Sequence, residues 1–207
     1  VVSLFDLIGR LAADRRMRKL LRGAVPSSVD QIRAGSFVKL TATVEPHDGR
    51  VLEAPLSGRL CAYYSIEVVG WPYTVLRRSR PVDVTDEQEC VPFRLAAVGA
   101  TVVVDPTDAW VSSGFDYRLR ERDEVRDPRA RAFYERTCDA ARRWSELHFR
   151  EAVLGIGERV VLFGAAVDAA TREQAGERGY RDTPARRLVF HGSAKYPLVI
   201  RDDVRDL

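Results

Sequence analysis

Pro55-Leu56-Ser57-Gly58-Arg59-Leu60-Cys61-Ala62-Tyr63-Tyr64 is a turn that runs straight into a strand. Proline presets the backbone for a turn, and Ser-Gly after it supplies the small residues that tight reversals need. The half-polar, aromatic run that follows has strand character and carries one cysteine. Working outward, residues 37–44 alternate as a strand, 45–50 are turn chemistry, 51–54 return, and 65–69 continue the strand-like pattern. Residues 71–75 and 81–84 read as further short strands, and Glu87-Gln88-Glu89 reads as a turn before a strand at 90–96. Gly99 precedes the β-branched run 100–104, a central strand by composition, which Asp105-Pro106 ends. Many short strands divided by turns predict a mainly β (α+β) protein, a small antiparallel OB-like barrel or sandwich.

Residues 127–154 read differently. Asp127 is an N-cap, Pro128 suits the first helical position, and Ala130, Phe133, Tyr134, Thr137, Ala141, Trp144 and His148 share a helical face before Gly155 and Gly157. One long helix over 127–154 is expected. Strands are expected again at 158–166, 188–191 and 196–200, with a charged loop at 171–186. The segments beginning at Gly35 and Gly157 look alike, each a glycine, a polar residue and an alternating strand. They predict two β halves, 35–125 and 157–203, bridged by the helix within a domain spanning 27–207.

Residues 1–26 form a separate N-terminal piece. Leu4, Leu7, Ile8 and Leu11, then Met17, Leu20 and Leu21, recur at helical spacing, and Arg15, Arg16, Arg18, Lys19 and Arg22 make a basic cluster. Two readings stand: a surface-lying helix whose basic end meets anionic lipid, or a helix docked on the core with solvated arginines.

Bulk properties limit the function. A chain of 207 residues with 45% hydrophobic and 30% charged residues is ordinary for a globular protein, and buries roughly 70% of its unfolded surface. A net charge of +3 is too small to argue nucleic-acid binding from charge alone. Nearly all the positive charge is arginine, with lysine only at 19, 39 and 195, which reads as a GC-rich bacterial source. Cys61, Cys90 and Cys138 are odd in number and widely spaced, so neither a disulfide framework nor a zinc site is expected, and the compartment reads as reducing. No apolar run reaches the length that spans a bilayer.

Candidate chemistry is sparse. Cys61 is the natural nucleophile, but a catalytic cysteine needs a nearby base, and His47, His148 and His191 stand in no cysteine-hydrolase context. The histidines have no metal-ligand spacing, so no metal and no cofactor is expected. Asp105 and Asp108 read as a strand terminator before a cation site. Phosphate-binding glycine loops and nucleophile elbows are missing from the sequence. Tyr63, Tyr64, Trp71 and Tyr73, interleaved with Arg77, Arg78 and Arg80, would suit a single-strand-binding surface, or simply a core and a hairpin loop.

Several motifs in order resemble the "beside a membrane" (BAM) domain of the GIDE/MULAN mitochondrial ubiquitin ligase family. They are Gly35-Ser36 opening a strand, Pro55-Leu56-Ser57-Gly58 with Cys61 and Tyr63-Tyr64, and Pro92-Phe93 before Val102-Val103-Val104-Asp105. Glu151, Leu154, Gly157-Glu158 and the strand 160–164 follow, and Tyr196-Pro197-Leu198-Val199-Ile200 closes the series. The resemblance implies a domain held against a membrane by segments outside this chain, here on the cytoplasmic side of a bacterial membrane. Ligase activity does not carry over, because a RING finger needs paired cysteines and this chain has none. The expectation is a non-enzymatic binding module for a protein, a peptide or an anionic membrane surface. Its site would comprise Pro55, Ser57, Gly58, Tyr63 and Tyr64, with Arg15, Arg16, Arg18, Lys19 and Arg22 as the membrane contact. A cysteine enzyme using Cys61 with a histidine, or a single-stranded nucleic-acid-binding OB-like module, is the alternative.

Overall fold

The computed structural model describes residues 22, 24–28, 31–73, 80–97, 100–107, 109–112, 114–122, 124–138, 144–168, 188–192 and 197–201. In chain order the strands are β1 (Val25–Pro26), β2 (Phe37–Pro46), β3 (Leu52–Glu53), β4 (Leu60–Pro72), β5 (Val82–Cys90), β6 (Phe93–Ala97), β7 (Ala100–Asp105), β8 (Ala109–Ser112) and β9 (Tyr117–Arg122). Helix α1 (Pro128–Thr137) comes next, then β10 (Trp144–Gly155), β11 (Arg159–Asp168), β12 (Leu188–His191) and β13 (Leu198–Arg201).

Five of these strands close a barrel in the order β2-β6-β7-β12-β11, and β11 returns to pair with β2 from Arg159↔Thr43 to Ala165↔Phe37. The β7–β12 pair is parallel and the other four are antiparallel. That order is the OB-like topology expected from the strand pattern. Closure follows from alternation: Val38, Leu40, Ala42 and Val44 on β2, Val160 and Leu162 on β11, and Phe93, Leu95, Val102, Val104 and Phe190 all point to one interior. Each Val, Leu or Phe among them contributes about 1.5–3 kcal/mol relative to exposure.

The two long connections of the barrel build a second sheet. The β2–β6 connection supplies β3, β4 and β5, and the β7–β11 connection supplies β9, α1 and β10. They join in the order β3-β4-β10-β9, with β5 also on β4. The backbone of this sheet is the β4–β10 pair, running from Trp144↔Pro72 to Gly155↔Cys61. On one face Ile66, Val68, Leu147, Phe149 and Val153 form a second core with Ala130 and Phe133 of α1. Two β units therefore exist, but each is assembled from distant parts of the chain, and the halves 35–125 and 157–203 do not describe them.

The helix is correct in its start and wrong in its length. Asp127 Oδ1 accepts the Ala130 N–H at 2.9 Å and Pro128 occupies the first turn, but α1 ends at Thr137, and 144–155 is β10. The helical stripe through Trp144 and His148 competes with a period-2 row, Leu147-Phe149-Val153, and the long antiparallel partner β4 decides for the strand. Glu87-Gln88-Glu89 likewise lies inside β5 rather than in a turn, because all three pair with β4. Among the described residues no helix is long and apolar enough to cross a membrane. Residues 2–21 and the 171–186 loop lie outside the described residues, as do Arg15, Arg16, Arg18 and Lys19.

Candidate functional site

The 55–60 turn is held from several sides by side chains distant in sequence. Gly58 has φ +71°, in the left-handed region, and its N–H donates to Ala54 O at 2.8 Å while the Ala54 N–H donates to Arg59 O at 2.9 Å. Beneath it lies Glu151 of β10, 0% exposed, the one buried charged residue among those described. Its Oε1 accepts the Leu56 N–H at 2.7 Å and its Oε2 accepts the Ser57 N–H at 2.9 Å. A carboxylate facing two backbone donors satisfies groups that a tight turn leaves unpaired, and holds the turn to the sheet.

Arg59 braces the other side. Its guanidinium pairs with Glu158 and, at 3.1 Å, with Asp116 Oδ1, and the Glu158 hydrogen bond pushes its pKa up. Both acids are themselves anchored to backbone: Asp116 Oδ2 accepts the Val153 N–H at 2.8 Å, and Glu158 Oε2 accepts the Gly155 N–H at 2.8 Å. Arg129 of α1 lies over Gly58, where a Cβ would come within 2.6 Å of its Nη2, and its Nη1 donates to Glu53 Oε1 at 2.9 Å. At the end of the turn Leu60 bonds through its carbonyl to the Ile156 N–H and holds its side chain outward, 58% exposed, in the same stretch as exposed Val51.

The sequence candidates divide. Pro55, Ser57 and Gly58 lie together in this turn. Tyr63 and Tyr64 do not extend it as a surface. Tyr63 packs against the barrel core, while Tyr64 is buried in the second core with its hydroxyl donating to Glu89 at 2.8 Å and Glu87 at 3.0 Å, and burial followed by those bonds pushes its pKa up. Of the basic cluster, Arg22 is described, helical and exposed. Arg59, Leu60, Asp116 and Arg129 were missed as site residues. Their signal is tertiary, because Asp116 and Arg129 lie on connections far from the turn.

No family model, curated protein or solved structure matches this chain.

The chemistry proposed for cysteine and histidine is not assembled. Cys61 is fully buried, its Sγ lies 3.7 Å from Leu52 O, and burial, then the charge of Glu151, push its thiol pKa up to about 11. The histidines have other partners. Arg94 Nε donates to His47 Nδ1 at 3.2 Å, His148 Nε2 lies 2.5 Å from Glu146 and its ring is 4.4 Å from Trp71, and His191 Nδ1 lies 3.1 Å from Gly192 O. Among the described residues no cluster of His, Cys, Asp and Glu could hold a metal ion. Asp105 Oδ1 accepts the Thr107 N–H and hydroxyl, the geometry of a turn. Arg77, Arg78 and Asp108 lie outside the described residues, and the interleaved aromatics form no single surface, since Tyr63 and Tyr64 face different cores.

The outer face of the second sheet carries another feature. Arg118, Arg120 and Arg122 stand in a row on β9, and the guanidiniums of Arg118 and Arg150 lie 5.5 and 5.6 Å from the centre of the Phe115 ring. Glu146 absorbs much of this charge by pairing with Arg120 and Arg122, and Glu67 pairs with Arg150. The face is mixed in sign, which suits solvent better than a polyanion.

Proposed function

We propose that this chain is a non-enzymatic, membrane-adjacent binding module, a RING-less relative of the BAM domain, which holds a protein or peptide partner at the 55–60 turn. The observation that carries this reading is the bracing of that turn by Glu151, Arg59 and Arg129 around an outward Leu60. A preordered loop with an exposed apolar side chain loses little conformational freedom on binding, so affinity is gained without new contacts. The burial and raised pKa of Cys61 weigh against its use as a nucleophile. The membrane setting rests on the BAM resemblance and on the basic residues Arg15, Arg16, Arg18, Lys19 and Arg22, which would meet anionic headgroups.

A photo-crosslinking residue at position 60, compared with one at exposed position 110, tests the turn in membranes of the source organism. A discrete adduct specific to position 60 and weakened by Glu151→Gln is expected; equal, diffuse labelling at both positions overturns the reading. Vesicle flotation of the full chain tests the setting. Binding to anionic but not neutral vesicles, reduced by salt and by replacing the five basic residues with Gln, is expected.

A further inference from the structure

The second sheet ends in two strands whose outer sides pair with no strand among the described residues: β5 beyond β4, and β9 beyond β10. Such an edge presents a row of backbone N–H and C=O groups that can take another strand. The two edges are opposite in charge. On β9, Tyr117 and Leu119 pack against the second core, so Arg118, Arg120 and Arg122 point to the other face, where all three are exposed. On β5, Thr85 and Glu87 lie opposite Val68 and Ile66 of that core, so Asp86, opposite Glu67, points to the same outer face as the arginines. The bulge between Val68 and Val69 brings Asp83 there too, opposite Val69. Asp83 and Asp86 thus stand at neighbouring outward positions, with the two-residue step that separates successive arginines of β9. Both acids are exposed, and neither they nor Arg118 has an ion-pair partner among the described residues.

We infer that copies of this chain join head to tail, β5 of one against β9 of the next, so that the second sheet continues from molecule to molecule. The occupant of each edge is a second copy because the chain carries both complementary halves. Strand direction agrees. β4 is antiparallel to β5 and to β10, and β10 is antiparallel to β9, so β5 and β9 run in opposite directions. A copy carried along the sheet without turning over brings its β9 antiparallel to β5, with the Asp83–Asp86 row and the arginine row on one face. Cross-strand pairs of opposite charge stabilise such a ladder, and like charges destabilise it. Two β5 edges would set acid against acid, and two β9 edges arginine against arginine, so charge selects the unlike pairing. The two joined surfaces differ, so the contact is heterologous and continues as an open chain or a ring. Main-chain bonds supply the affinity, as in other strand additions, and the charged rows supply the choice of partner.

This inference does not rest on the 55–60 turn, and its test contains no other partner. In sedimentation of the full chain at low salt, the average mass should rise beyond that of a dimer as concentration increases, and added salt should lower it. Asp83→Lys with Asp86→Lys should leave the chain monomeric, and so should Arg118→Glu with Arg122→Glu. An equal mixture of those two variants should assemble again, since each then offers the other an unlike edge on both sides. That recovery also shows that both variants are folded. Should the basic-edge variant fail to fold, Arg118→Glu alone should shift assembly to several-fold higher concentration. Amide exchange on β5 and β9 should slow several-fold in the assembled native chain relative to the Asp83→Lys, Asp86→Lys variant, while exchange on β4 is unchanged. A native chain that stays monomeric at every concentration overturns the inference. Assembly that stops at a dimer, or that survives both charge reversals, overturns it equally, since another surface then joins the copies. A mixture of two folded variants that remains monomeric does the same.

Discussion

Glu151 and Leu56 are 95 residues apart in sequence, and the carboxylate of one accepts the backbone N–H of the other at 2.7 Å inside the protein. The bond joins the centre of the second sheet to the 55–60 turn, and the Ser57 N–H doubles it at 2.9 Å. Through it the two long connections of the barrel, one carrying the turn and the other carrying β10, are held to each other.

Replacing Glu151 is therefore expected to destabilise the protein well beyond the loss of one contact. Glu151→Ala strands two backbone donors, each costing about 1–3 kcal/mol when unsatisfied. Glu151→Gln keeps one acceptor but turns an amide N–H₂ toward the other donor, and should lose about 1–3 kcal/mol. Urea unfolding of both variants checks this; losses below 0.5 kcal/mol would show that the turn draws its order from elsewhere.

Gly58→Ala should cost about 1–2 kcal/mol from the left-handed backbone alone, with a further loss as Arg129 is pushed aside. Gly35 provides the control, since its φ is +83° but nothing lies within 4 Å of a Cβ there. Thermal melts of both variants should show Gly58→Ala as the more damaging, and Gly58→Ala with Arg129→Ala should recover part of the difference.

Alkaline pH should destabilise the fold. The Cys61 thiol is pushed up to about 11 by burial and by Glu151, and burial shifts Cys90 and Cys138 in the same direction. A thiol with a folded pKa above its unfolded value contributes stability that is complete below the unfolded pKa, about 8.5, and is lost as pH rises through the folded one. Denaturation midpoints should thus fall between pH 9 and 11, and Cys61→Val should flatten part of that slope. Iodoacetamide at pH 8 should label Cys61 most slowly of the three thiols, and fast labelling of Cys61 would revive the nucleophile reading.

At the acid end Glu146 behaves in the opposite sense. The Arg120 hydrogen bond, then that of His148, hold its carboxyl down to about 2. Because the folded pKa is depressed, the associated stability is present above the unfolded value, about 4.3, and is lost as pH falls toward the folded one. Carboxyl NMR should place the Glu146 midpoint well below those of the exposed glutamates, and Arg120→Gln should move it up. An unshifted midpoint would mean that solvent screens the Arg120 pair.

Local chemistry made much of the architecture legible. The strands 37–44 and 158–166 read correctly because half-buried strands must alternate, and the start of α1 did because Asp127 and Pro128 act within one turn of themselves. The strand 144–155 did not, and Glu151 shows why. In the inward row Leu147-Phe149-Glu151-Val153 a carboxylate interrupts the apolar alternation, so the pattern loses its period. Only the turn 95 residues away makes a buried glutamate tolerable at that point.

What the sequence alone determined was the class of protein and the kind of element at most positions: a mainly β chain, OB-like, with a proline-glycine turn entering a strand. Those properties depend on neighbours within a few residues, and side-chain chemistry states them directly. The tertiary structure alone decided that the two β units interleave, that Tyr63 and Tyr64 serve separate cores, and that Glu151, Arg59, Asp116, Glu158 and Arg129 converge on one turn. Such convergence depends on which strand edges meet, and strand pairing is a long-range choice: hydrogen bonds between backbones carry no side-chain label, so the partner of each strand is selected only when the whole set of buried faces is satisfied at once.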